Sequence, residues 1–341
     1  MARRRRTVAK AATVTFVAAV LSSLTACGSA GEATLPDQAP GATPAASPEP
    51  DRSPAGTVLP IGARVTAAAV DESTRTVAVA VTDPDRLLLL DLAALDAPPR
   101  TVGLPGRADQ LDAGAAPGEL LVPVGTADRL LTVDMASGRV RSVAVDGGPV
   151  AAAVVAGRTV VALAGRPGVA VLDGERVRHA GDQFAGPADV VGIGGTAAVL
   201  DRMRTALIAV DAADGHVGPS LRAGHGATNA VADRFGRVLV TDTRDGELLV
   251  FSAAPLLMRQ RFPAPGAPYA IAYDPTRDLA WVTLTERNEV VGFDVAGGEP
   301  VERYRLATVR QPNAVAVDPT SGAVFVGSGT GDGVQVVNAD E

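Results

Sequence analysis

Cysteine occurs once in the 341 residues, at Cys27, so a monomer can form no disulfide and build no cysteine-rich metal site. Any folded domain must rest on packing alone. Histidine occurs three times, at His179, His216 and His225, in three separate connecting segments with no His-x-x-x-His spacing. A zinc centre needs three or four converging ligands, so no metal ligand is assigned and no cofactor is expected. Aromatic residues make up 3% of the chain, too few for a sugar-stacking platform. Lysine is confined to Lys10. With arginine as every other cation and abundant Ala and Gly, the composition reads as a high-GC codon bias rather than a phosphate-binding design. Long hydrophobic runs are missing after residue 24, which leaves no candidate for a spanning helix in the body of the chain.

The N-terminus holds the most specific signal. Arg3, Arg4, Arg5 and Arg6 precede an uncharged run from Ala11 to Leu24, about 14 residues against the ~20 that a bilayer-spanning helix requires. This is the pattern of an export signal. The run closes on Leu24-Thr25-Ala26-Cys27, followed by Gly28, which resembles the lipobox of bacterial lipoproteins residue for residue. That resemblance implies cleavage before Cys27, a thioether-linked diacylglycerol on its thiol, further acylation such as palmitate, and residence on the extracytoplasmic side of the cell membrane. Without the basic leader the chain keeps 26 Arg against 38 acidic residues, a net charge of −12. Such a surface repels nucleic acid, so no nucleic-acid partner is expected.

Residues 28–55 carry prolines at 36, 40, 44, 48, 50 and 54 and no aromatic residue. They read as a tether without fixed structure. The expected organisation is therefore a signal peptide over 1–26, a lipidated cysteine and tether over 27–55, and a folded domain over 56–341.

From Gly56 onward the sequence repeats with a period near 40. Pro268 to Val295 is the clearest unit: an apolar run, a turn at Asp274-Pro275, an alternating run from Leu279 to Leu284, a turn at Glu286 to Asn288, and a closing run from Val290 to Asp294. The third run ends at Asp91, Asp134, Asp173, Asp211, Ser252, Asp294 and Asn338, at intervals of 43, 39, 38, 41, 42 and 44. Four short strands per unit and seven units predict an all-β, seven-bladed β-propeller, with six blades plus a degenerate repeat as the alternative. The last unit has no room for an outer strand. Thr57 to Gly62 resembles the outer strand at Thr101 to Gly106, so residues 56–62 are expected to complete the last blade and remove an open edge. The spacing in Asp134-Met-Ala-Ser-Gly138, Asp211-Ala-Ala-Asp-Gly215 and Asp294-Val-Ala-Gly-Gly298 predicts side-chain-bonded hairpins with glycine at positive φ, not a ring of catalytic carboxylates.

The Pro-x-x-hydrophobic-Ala-x-Asp-Pro opening and the Val-x-Asp close resemble YVTN repeats and, more loosely, NHL-like repeats. With the lipobox and tether, Leu221 to Thr228, Arg237 to Thr243 and Gln311-Pro-Asn-Ala314 resemble the LppL-type lipid-anchored propeller lipoproteins of actinobacteria. The resemblance brings no catalytic motif, and fold likeness alone licenses no activity. Two function classes follow. One is a binding or scaffolding module on the outer face of the membrane, its partner a cell-envelope protein or a small molecule. The other is a propeller enzyme of lactonase or lyase type with a metal in the central channel. Blade-joining loops are mostly small or apolar in units one to three and polar in units four to seven. Within the latter, His225, Asn229, Asp242, Tyr269 and Asn313 are the candidate ligand-binding residues, expected to converge at the channel mouth.

Overall fold

The computed structural model describes residues 40–181 and 183–338. The lipobox and Cys27 lie outside the described residues. The described residues belong to one compact unit, Ala39 to Glu341.

Seven four-stranded antiparallel sheets make seven blades, which removes the six-bladed alternative. Blade one is Arg64–Asp71, Thr76–Thr82, Arg86–Asp91 and Arg100–Gly103, each strand pairing with the next. Blade seven takes Pro312–Val317, Ala323–Ser328 and Val334–Asn338 from the end of the chain and its outer strand, Thr57–Leu59, from near the start. Thr57 pairs with Val336 and Leu59 with Val334, so the ring is closed by hydrogen bonds rather than by a covalent link.

The packing explains why the middle strands read as continuous apolar runs. Along Thr76–Thr82, Val77, Val79 and Val81 face blade seven, while Ala78 and Ala80 face blade two. Along Leu279–Leu284, Leu279 and Trp281 face blade seven, while Ala280, Val282 and Leu284 face blade five. Strands buried on both faces cannot alternate apolar with polar. Seven apolar clusters result, one between each pair of neighbouring blades, including the seam between blades seven and one. Gln335, fully buried in blade seven, ties that blade to the chain entering its outer strand and to the end of blade six. Its Nε2 donates to the carbonyls of Ala55 (2.7 Å) and Ala307 (2.9 Å), and its Oε1 accepts from Val309 N (3.1 Å).

The aspartates that end the third strands are turn residues. Asp134 Oδ1 accepts from Ser137 N at 2.7 Å and Asp211 Oδ1 from Ala213 N at 2.7 Å, with Gly138 and Gly215 at φ 74° and 71°. Asp294 departs from the expected geometry. Its Oδ1 accepts from Ala296 N at 3.0 Å, but Gly298 is not at positive φ.

The tether expectation fails from Pro40 onward. Residues 40–55 have no helix and no strand, yet they lie against blades four to seven, with Ala42 and Ser47 buried. Proline content predicted a lack of regular structure, and that much holds. It could not predict that the surface beneath would supply the missing hydrogen-bond partners.

Candidate functional site

The inner strands of the blades surround a channel. In six of them the ladder skips a residue near its start: between Val65 and Ala67, Pro149 and Ala151, Pro187 and Asp189, Ala227 and Asn229, Pro268 and Ile271, and Pro312 and Ala314. A bulge leaves one residue unpaired and re-aims side chains. Here it places Thr66, Asp189, Asn229, Tyr269 and Asn313, in or beside the bulges, along the channel.

Three of the five candidate residues are brought together by this arrangement. Asn229, Tyr269 and Asn313 line a cavity of about 240 Å³ in the channel, with Gln110, Asp112 and Asp189. Asn229 is held by three bonds: its Nδ2 donates to Tyr269 O (2.8 Å), and its Oδ1 accepts from Arg202 Nη2 (2.9 Å) and Gln110 Nε2 (3.3 Å). Asn313 Oδ1 accepts from Gln311 Nε2 at 3.0 Å. Tyr269 OH, Asn313 Nδ2 and Gln110 Oε1 make no hydrogen bond to a described residue. A second cavity of about 460 Å³ lies above, between Gly41–Pro44 and a floor that includes Gln110, Arg202, Tyr269 and Asn313. That volume falls within the ordinary range of small-ligand pockets.

His225 and Asp242 sit apart, in the turn region of blade five, and line neither cavity. Asp242 is fully buried, accepting from His225 N (2.9 Å) and Asp245 N (3.2 Å), and burial pushes its carboxyl above the usual range. His225 Nδ1 lies 2.5 Å from Asp245 Oδ2. Asp242, Asp245 and Glu247 form the one acidic triad among the described residues whose oxygens could converge on a metal ion. Arg261 already supplies it with a cation, at 2.6 Å from Glu247 and 3.3 Å from Asp245.

The channel holds two carboxyl groups at the level of the smaller cavity. Burial pushes Asp189 up to about 6, against the Ala230 amide, the Arg202 charge and the Val190 amide, which favour its ionised form. Burial also pushes Asp112 well above the carboxylate range; the neighbouring charge of Asp189 adds to this and the Ala152 amide opposes it. Asp112 Oδ2 is enclosed without a hydrogen-bond partner. Burial therefore favours the neutral form of both carboxyls. Gln110 and Asp112 escaped the sequence reading because blade two keeps only Asp112–Ala113 of its inner strand. Their signal was positional: the polar run Asp109 to Asp112 stands one repeat before Pro149–Val155.

No family model matches this sequence, and no characterised protein matches it by sequence. The fold does have solved counterparts. Kuenenia stuttgartiensis hydrazine synthase superposes with a TM-score of 0.68 at 15% identity, over 83% of this chain and 97% of that one. A streptogramin B lyase gives 0.68 at 11% identity, over 84% and 96%. The virginiamycin B lyase of Staphylococcus aureus gives 0.67 at 11%, over 82% and 97%. At these identities the likeness is one of fold, and the chain is a seven-bladed β-propeller similar to theirs in architecture.

Proposed function

We propose that the chain is a lipid-anchored, extracytoplasmic binding module of the LppL-type propeller lipoproteins, held to the membrane through Cys27, and that it binds at the channel mouth. The observation that carries the binding site is the cavity of about 460 Å³ floored by Tyr269, Asn313 and Gln110. Unspent hydroxyl and amide groups on a rigid, concave surface are what orient a ligand. The anchor is supported by Leu24-Thr25-Ala26-Cys27, and no helix among the described residues is long and apolar enough to span a membrane.

Two experiments test this reading. Cys27→Ser should release the protein from the membrane fraction and block lipoprotein-type processing; continued retention rejects the anchor. Tyr269→Ala combined with Asn313→Ala should abolish capture of the envelope partner or small molecule recovered with the wild-type chain. Capture at wild-type strength would move the site off the channel mouth.

A second reading, a propeller enzyme of lactonase or lyase type, draws on Asp112 and Asp189 alone. It predicts that Ca²⁺ raises the thermal midpoint and that Asp189→Asn abolishes the rise, since a ligand bound only by the folded state stabilises it by mass action.

A further inference from the structure

The segment 40–52 crosses the mouth-side face of blades four to seven, and the way it is held has the form of peptide recognition. Gln311 of blade seven reads its backbone twice: Nε2 donates to Ala45 O at 2.9 Å and Oε1 accepts from Ser47 N at 3.0 Å. That is the pairing one strand residue offers another, supplied by a side chain. Asn288 of blade six donates to Pro48 O at 3.0 Å, and Arg244 of blade five donates to Pro40 O. Gly41 N donates to Met203 Sδ of blade four at 3.1 Å. Most of these contacts address backbone atoms, so they demand a chain that leaves its own amides and carbonyls unpaired. Prolines at 40, 44, 48 and 50 keep it in that state, because each biases the residue before it away from helix.

Three side-chain contacts add selection. Ser47 is buried and its hydroxyl donates to Thr285 O at 2.5 Å, which admits only a small residue there. Charge is matched on its C-terminal side, Glu49 with Arg310 at 2.5 Å and Arg52 with Glu289 at 2.6 Å. A segment that merely joined an anchor to the disc would need none of this.

We propose that this face is a docking site for proline- and alanine-rich peptides lacking regular secondary structure, and that residues 40–52 occupy it in cis. The inference rests on the reading of the mouth as a binding surface and names the ligand class it takes. The same segment roofs the larger cavity through Gly41–Pro44, so its displacement would open that cavity as well. Attachment to the disc gives the internal segment a high effective concentration, so a free peptide competes poorly until the segment is dislodged.

The test uses the full chain and a fluorescein-labelled peptide of residues 40–52. Ser47→Asp sets a carboxylate against the Thr285 carbonyl and should free the segment, raising the rate of tryptic cleavage after Arg52 at least about tenfold. Gln311→Ala, which removes both bonds to the segment together with the one to Asn313, should raise it in the same direction and serves if Ser47→Asp fails to fold. By fluorescence anisotropy the peptide should bind the Ser47→Asp chain saturably and the wild type at least about tenfold more weakly. Binding should be lost when Gln311→Ala is added or when the peptide is N-methylated at Ser47. Unchanged cleavage, or a dislodged segment with no peptide binding, overturns the proposal. If partner capture still depends on Tyr269 and Asn313 in that case, the binding module stands and only its ligand class is rejected.

Discussion

Blades two and three meet over an apolar surface of Leu121, Leu130, Val145, Val161, Leu163 and Leu172, whereas blades five and six add a set of polar latches to theirs. Arg234 donates twice to Asp278, at 2.5 and 2.6 Å, and Tyr273 OH donates to the same carboxylate at 2.7 Å. Thr241 and Thr243 reach across to the carbonyls of Tyr269 and Pro268, at 2.7 and 2.6 Å. Apolar contact is non-directional, so it holds two blades together without fixing a side chain to a fraction of an ångström. Hydrogen bonds are directional. The blades that carry Asn229 and Tyr269 are those whose mutual orientation is pinned, which is what a binding constellation requires of its support.

The largest expected effect lies on the apolar side. Leu163 is 1% exposed in the apolar cluster that joins blades two and three. Leu163→Ala should cost about 2–5 kcal/mol in chemical denaturation. A loss below about 1 kcal/mol would show that the interface collapses onto the vacancy and that the contrast between the two interfaces is overstated.

The next effect is of opposite sign. Asp112 sits in the inner strand of blade two with an enclosed, unpartnered oxygen and a carboxyl held well above its ordinary range. A carboxyl with a raised folded pKa contributes most below its unfolded value, near 3.8, and costs stability progressively as pH climbs through the folded one. Asp112→Asn should therefore raise the thermal midpoint at pH 8 and leave it nearly unchanged at pH 4. A midpoint lowered equally at both values would mean that the carboxyl has a partner that the neutral amide cannot replace.

These regions also differ in how far they could be read from sequence. Seven blades, the turn aspartates and the outer strand at Thr57–Leu59 were legible because repeats impose one strand pattern on every unit, and a missing strand in Val334–Asn338 must be found elsewhere. Asn229, Tyr269 and Asn313 were legible because they start well-formed inner strands. His225 and Asp242 fall into the same group because they stand before a first strand and at the end of a second. Strand pattern cannot tell a side chain that faces the channel from one that closes a turn, and Asp242 closes a turn on His225 N. Gln110 and Asp112 were hidden by the loss of alternation in blade two. The docked segment 40–55 was least legible, since its order is supplied by Gln311, Asn288 and Arg310, more than 230 positions away.

The smallest effect tests the latch itself. The Arg234 hydrogen bonds, then those of Tyr273 and the nearby arginine charges, outweigh burial and hold Asp278 down at about 2. A carboxylate with a lowered folded pKa contributes stability that is present above its unfolded value, near 3.8, and is lost as pH falls through about 2. That interval would correspond to about 2.5 kcal/mol at most, but Arg234 is about half exposed, and solvent screening reduces the expected cost of Asp278→Asn to about 1 kcal/mol at pH 7. The cost should shrink toward zero between pH 4 and pH 2, where the wild-type carboxylate takes up its own proton. It should also shrink in about 1 M salt, where the Debye length falls to ~3 Å. A cost that stays constant from pH 7 to pH 2 would mean that the amide has disturbed the packing of Tyr273 instead, and that blades five and six are held by apolar contact, as blades two and three are.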